Sequence, residues 1–294
     1  MQHDPSWRLQ EEPLPPRPGA GPVLNWASAV LAAVLMIATR GPTAYAADLP
    51  FGFLAPPPGW VITLGSQVQG GPKFAGSDKY EFTAIPTLTV RRPGEPDGFT
   101  TPDDSLEYTV FGNERFRIGP VASFDPGRYL SDDHRLIGLH SVSWGVEAGV
   151  FGELWPIIDK LRTRVEVRYG YNYGGFIADV GGDWVEKVGR FTLSAGPRIE
   201  LADTEYMRKY FGVTPAEAAA NGVLAPFSPT GGLRSVGVTL VASYQITEAV
   251  KATAFARYDR LVLDAAKSPI VTKFGSPDQV AFGFGLSYAF WSSL

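Results

Sequence analysis

The 294-residue chain has no cysteine and only three histidines, His3, His134 and His140. The missing thiols exclude a disulfide scaffold, a thiolate metal site and a thiol nucleophile, and three imidazoles leave little nitrogen for metal or base chemistry. Charge is sparse and balanced. Its 26 Lys and Arg against 30 Asp and Glu give a formal −4, without the basic excess that a nucleic-acid face requires. After residue 39 no apolar run is long enough for a spanning helix. Mean hydropathy is nevertheless −0.02 in a chain with 33 Gly and 25 Pro, so the apolar residues are dispersed, as strands disperse them.

What is there begins with an export signal. Val23 to Thr39 is a short apolar stretch, and Ala44-Tyr45-Ala46-Ala47 behind it fits cleavage after Ala46. The expected organisation is a signal peptide at 1–46, with an atypical Pro-rich extension of mixed charge, and an outer-membrane β-barrel at 47–294. An uncleaved anchor is the alternative reading of the stretch.

Beyond residue 58 the dominant period is two. From Leu161 to Gly174, Leu161, Val165, Val167, Tyr169 and Tyr171 alternate with Arg162, Arg164, Glu166, Arg168 and Gly170, the mark of a strand with one apolar face. The rule recurs at 59–69, 79–91, 105–111, 115–124, 141–155, 189–201, 234–245, 250–260 and 280–290, giving ten clear strands. Soluble sandwiches alternate too. Three features favour a membrane: strands of the length that crosses a bilayer at a tilt, aromatics near strand ends (Trp60, Trp144, Trp155, Tyr258, Tyr288, Phe290), and the signal ahead of them. An open edge in lipid leaves backbone groups unpaired, so the sheet is expected to close, with an even strand number.

Turn lengths bear on that number. Tight connections fall at Gly112 to Glu114, Pro156 to Lys160 and Ile246 to Ala249, and long ones at 125–140, 202–233 and 261–279. With ten strands they fall on mixed sides. A strand near 174–182 and another at 49–55 or 97–102 put every tight turn on the periplasmic side. The expected fold is therefore an all-β transmembrane antiparallel barrel of about 12 strands, with 10 as the alternative. A short helix belongs in the longest outer loop, where Thr214-Pro215-Ala216-Glu217 reads as an N-cap, a first-turn Pro and a reciprocal Glu, stopped by Gly222.

Turning the apolar face to lipid sends Lys79, Arg91, Arg115, Arg117, Arg190 and Lys251 inward, with Glu81, Glu107, Glu200 and Asp259. The candidate lumen network is Arg162, Arg164, Glu166, Arg168, Glu147, Glu153, Arg198 and Arg257. In a barrel this narrow such charges form an ion-paired filling; the alternative is an arginine-ringed, anion-preferring solute pore. An enzyme would have to use His134 or His140 with a neighbouring Ser or Asp, and adjacency in sequence is not triad geometry. Asp132-Asp133-His134 reads as a solvated polar loop. Gly70-Gly71-Pro72 and Gly181-Gly182-Asp183 read as turns without the Lys-Ser/Thr of a phosphate loop, and Pro86, Pro120 and Pro197 as bulges or strand ends. No catalytic, cofactor-binding or metal residue is assigned.

Several motifs, in order, resemble one family: Gly119-Pro120 with Gly127-Arg128, Val146-Glu147-Ala148-Gly149-Val150-Phe151, Gly196-Pro197-Arg198, Tyr210-Phe211-Gly212-Val213, Asp264-Ala265-Ala266 with Ser268-Pro269-Ile270-Val271, and Tyr288-Ala289-Phe290. Together they are similar to the MipA/OmpV family of outer-membrane proteins. The resemblance implies an outer-membrane, non-enzymatic scaffold of the MltA-interacting type, in contact with lipid, a lytic transglycosylase and a bifunctional penicillin-binding protein. It brings no catalytic residues. A pore, or an adhesin or receptor using the long outer loops, is the alternative function. One departure is the Trp291-Ser292-Ser293-Leu294 tail, which follows the aromatic on which such barrels usually end.

Overall fold

The computed structural model describes residues 59–91 and 98–292. The expected signal peptide, the possible strand at 49–55 and the last two residues of the tail lie outside them.

Twelve antiparallel strands form one sheet that curls into a half-barrel. They are β1 Trp60–Pro72, β2 Tyr80–Arg91, β3 Leu106–Glu107, β4 Phe111–Gly112, β5 Phe116–Asp125, β6 Gly145–Ile157, β7 Leu161–Gly170, β8 Gly175–Val188, β9 Phe191–Ala202, β10 Gly232–Gln245, β11 Val250–Leu261 and β12 Asp278–Ser292. Sequence neighbours pair from β5 to β12. The last strand then pairs with the first, from Trp60↔Ser292 to Gly70↔Phe282, while β2 and β3 end the order and β4 lies beside β5. Tight turns at 113–115, 158–160, 189–190 and 246–249 share one rim. The connections at 73–79, 126–144, 203–231 and 262–277, with one tight turn at 171–174, share the other, which makes the first rim periplasmic.

The alternation explains the curl. On β7 every second side chain, Arg162, Arg164, Glu166 and Arg168, is buried on the concave side, while Val165 and Val167 stand exposed on the convex side. On β12 Phe282, Phe284, Leu286 and Tyr288 face out, with glycines 283 and 285 between them facing in. Exposed Val, Leu, Ile and Phe continue across the convex face from Leu64 to Phe290, far beyond the apolar patch that a soluble protein tolerates. This is the lipid face. Val165, 46% exposed near the middle of its strand, tests it: Val165→Arg should destabilise the folded form in bilayers by about 2–4 kcal/mol, read as a shift in the urea midpoint of folding.

The count of twelve holds, but its members differ from those expected. The strand near 174–182 is β8 and runs to Val188, so Gly181-Gly182-Asp183 lies inside a strand and is not a turn. The segment at 105–111 is broken into β3 and β4, and residues 98–102 form no strand. Register passes Pro86 and Pro120 unshifted; opposite Pro197 the β8 ladder lapses for two residues and resumes in the same register. The register shifts fall between Leu154 and Ile157 and between Leu233 and Ser235.

The outer connections carry a 3₁₀ turn, His134–Leu136, and four helices: α1 Thr204–Phe211, α2 Pro215–Asn221, α3 Leu263–Lys267 and α4 Pro269–Phe274. The expected helix is α2, complete with its Thr214/Glu217 capping box and Gly222 at φ 73°. The other three were not expected. They pack the apolar core at the outer mouth, with Val142, Tyr173, Tyr206, Tyr210, Phe211, Leu261 and Val271 in one cluster and Phe74, Leu136, Val213, Ile270 and Phe274 in a second.

Candidate functional site

The concave face is a chain of ion pairs. Arg168 holds Glu147 through Nε at 2.8 Å and Glu166 through Nη1 at 2.5 Å. Arg164 takes the other Glu166 oxygen at 2.5 Å and reaches Glu153 at 3.4 Å, and Arg162 stands 3.9 Å from the same Glu153. These six residues come from β6 and β7. Arg198 on β9 and Arg257 on β11 are not joined to them directly: Arg198 bonds Asp183 at 2.8 Å, and Arg257 bonds Glu200 at 2.7 Å and Asp259 at 2.6 Å.

Asp183 links the two groups, 3.0 Å from Arg162 and 2.8 Å from Arg198, and a segment whose inward course was not expected links them further. Between β2 and β3 the chain turns into the lumen. Asp104 N–H donates to the Thr101 carbonyl at 3.0 Å and Thr101 N–H to the Asp104 carboxylate at 2.7 Å, a turn with Pro102 at its second position. Asp104 receives both terminal nitrogens of Arg162, at 2.8 and 2.6 Å. Asp103 lies 2.7 Å from Arg198 and 3.4 Å from Arg257, and accepts from the Thr239 hydroxyl at 2.9 Å. Phe99 packs edge-on against Trp155 under the Arg162 guanidinium. Ser105 Oγ donates to Glu166 at 2.6 Å. The Thr-Pro-Asp-Asp sequence is a legible turn signal, but nothing local says that it points inward.

Asp179, Asp183 and Arg234 were also missed; Arg234 pairs with Glu200 and donates to the Tyr206 hydroxyl at 2.6 Å. A cavity of about 80 Å³ remains among Asp103, Asp104, Arg162, Arg168, Asp179, Arg198 and Arg257.

Above the lumen, side chains from the helices and from the 171–174 turn pack together at the mouth. Tyr210 donates to Asp125, Tyr173 donates to Glu147 at 2.7 Å, and the rings of Tyr206 and Tyr210 stack at 4.6 Å. Burial pushes the Tyr210 hydroxyl far above its ordinary range, so it stays a donor. Two of the motifs, Tyr210-Phe211-Gly212-Val213 and Ser268-Pro269-Ile270-Val271, meet here. Ser268 Oγ donates to the Phe211 carbonyl at 2.7 Å and accepts from Ile270 N–H at the start of α4, while Val271 shares a cluster with Tyr210 and Phe211, and Ile270 one with Val213. Gly212 and Pro269 occupy the chain turns between them; a Cβ on Gly212 would sit 2.4 Å from the Arg208 carbonyl oxygen.

Two histidines, His134 and His140, lie among the described residues. His140 has Nδ1 2.5 Å from Glu217 and Nε2 3.0 Å from the Lys209 carbonyl, so both nitrogens are occupied. His134 is exposed in the 3₁₀ turn, and the neighbouring Asp133 pairs with Lys79 and Arg135. Burial alone would raise the Glu217 carboxyl; hydrogen bonds from Thr214 and His140 instead hold it down at about 2. Because the folded value lies below the ordinary 4.5, the stabilisation is complete above that pH and lost as pH falls toward 2. Protection of the α2 amides from hydrogen exchange, taken relative to the intrinsic rate at each pH, should fall across that window, and Glu217→Gln should remove the dependence.

A curled antiparallel sheet, apolar outside and ion-paired within, with tight turns on one rim and built-up loops on the other, defines an outer-membrane β-barrel. The chain belongs to the family described as MltA-interacting protein MipA, whose model matches residues 64–290. Among solved structures it is similar to the KdgM porin (11% identity, TM-score 0.36, covering 78% of this chain and 99% of that one). It is also similar to an outer membrane channel from Pseudomonas putida F1 (10%, 0.41, 83% and 100%) and to the translocator domain of the autotransporter NalP from Neisseria meningitidis (9%, 0.38, 91% and 98%).

Proposed function

We propose that the protein is a non-enzymatic scaffold of the outer membrane, exported by the 1–46 signal peptide, that binds a lytic transglycosylase and, with it, a bifunctional penicillin-binding protein. The observation that carries this reading is the filled interior: the turn at Thr101–Asp104 and its arginines occupy the lumen, and the helices pack at the outer mouth. A barrel so filled leaves its surface as the place where a protein partner can bind. The surface offered to periplasmic enzymes is the rim of tight turns, where Lys160 pairs with Glu186 and Lys187 with Asp159.

The test is reversible cross-linking in cells, capture on a tag in the 203–231 loop, and mass spectrometry against an unrelated barrel. Selective enrichment of murein hydrolases or synthases is the expected result. Recovery of barrel-assembly machinery alone would overturn the scaffold.

A further inference from the structure

We propose that the arginines around the inward turn form a binding site for a small dicarboxylate anion, which Asp103 and Asp104 occupy as a resident stand-in. Four guanidinium groups from three strands converge on these two adjacent carboxylates: Arg162 and Arg164 from β7, Arg198 from β9 and Arg257 from β11. Arg162 grips Asp104 with both terminal nitrogens, the fork geometry by which arginine recognises a free carboxylate. The two acids belong to no strand. They sit on a preformed turn that precedes β3; the ladder to β5 begins only at Leu106↔Ala122 and continues through Tyr108, Val110 and β4, so the turn itself makes no strand pairing. β5 and β6, by contrast, pair without a break from Phe116 to Asp125.

Releasing the turn therefore breaks little backbone structure. What it costs is the ion pairs, since guanidinium groups left without partners in a narrow lumen are expensive. A solute bringing two carboxylates restores them. The cavity of about 80 Å³ beside Asp103 and Asp104 is room for several waters, so an incoming anion has a place to begin the exchange. Glu166, Asp179 and Glu200 line the same cavity and oppose a more highly charged anion, which sets the preference at two carboxylates.

The absence of cysteine supplies a clean probe. Thr101 is 4% exposed on the turn, and Thr101→Cys puts a single thiol there in the otherwise native, folded chain. Its labelling by a membrane-impermeant maleimide is followed in sodium succinate, in neutral succinamide, and in sodium chloride of equal ionic strength. Succinate at about ten times its dissociation constant should raise the open fraction, and the labelling rate, about tenfold; succinamide and chloride should not. If chloride accelerates labelling as much as succinate, the turn yields to screening alone and the site is overturned; if succinate has no effect, it is overturned as well.

A second measurement needs no thiol. In the Asp103→Asn/Asp104→Asn variant the stand-in is neutral, so succinate should raise the unfolding temperature more than in the unaltered chain. Equal shifts, or none, would overturn the proposal.

Discussion

Arg162→Met should lower the stability of the folded barrel by about 3–5 kcal/mol, the range for removing one partner from a buried ionic group. Arg162 is 1% exposed and serves three carboxylates: Asp104 through both terminal nitrogens, Asp183 at 3.0 Å and Glu153 at 3.9 Å. Methionine keeps most of the side-chain volume and leaves all three acids facing one another without the cation. Arg190→Met is the comparison. Arg190 is exposed at the periplasmic rim, where it donates to the Ile246 carbonyl at 3.1 Å, and its loss should stay within about 0.5 kcal/mol. Urea midpoints of the heat-modifiable folded form measure both. Similar costs for the two variants would mean that the lumen charges are solvated as in a wide aqueous channel, contrary to an ion-paired filling.

The parts of this fold that the sequence displays are those where lipid imposes a rule on single residues. On β7 and β12 every second side chain must be apolar, so the strands and their inward charges, Arg162 through Arg168 among them, follow from parity. Of β8 only the first part, near 174–182, was legible; the rest, to Val188, was not. Its Gly181-Gly182 pair reads as a turn, yet both lie in the strand with room for a Cβ, 3.4 and 3.8 Å from the nearest atoms; the close approach is made by Gly196 opposite, where a Cβ would lie 1.6 Å from the Gly182 carbonyl oxygen. Asp183 was lost with it, though Asp179 and Asp183 share the inward parity of Ile177 and Val185.

The inward turn is different in kind. Thr101-Pro102-Asp103-Asp104 states that the chain reverses, but its direction is fixed by arginines 58 to 154 residues distant along the chain, which no local pattern encodes. Helix α1 could have been found, since Asp203 caps it through Tyr206 N–H and Tyr206, Met207, Tyr210 and Phe211 repeat at helical spacing. The strong capping box of α2, three residues further on, drew the reading away from it.

That overlooked helix sets the other large effect. Phe211 ends α1 fully buried, at 0% exposure, in the cluster with Tyr206, Tyr210, Ala265 and Val271. Its carbonyl receives the Ser268 hydroxyl that starts α4, so one residue joins the 203–231 connection to the 262–277 connection. Phe211→Ala removes the ring and leaves a cavity that the flanking strands prevent from collapsing, at a cost of about 3–5 kcal/mol. The strand ladders make no use of the ring, so the loss should fall on the helices over the mouth as local opening. Protease cleavage within 203–231 should then rise by about two to three orders of magnitude, while heat-modifiable migration of the barrel is retained. Val223→Ala, an exposed apolar residue of the same connection, should leave cleavage nearly unchanged. If Phe211→Ala instead abolishes the folded barrel, the mouth and the wall unfold as one unit, and the inward turn could not be released beneath an intact lid.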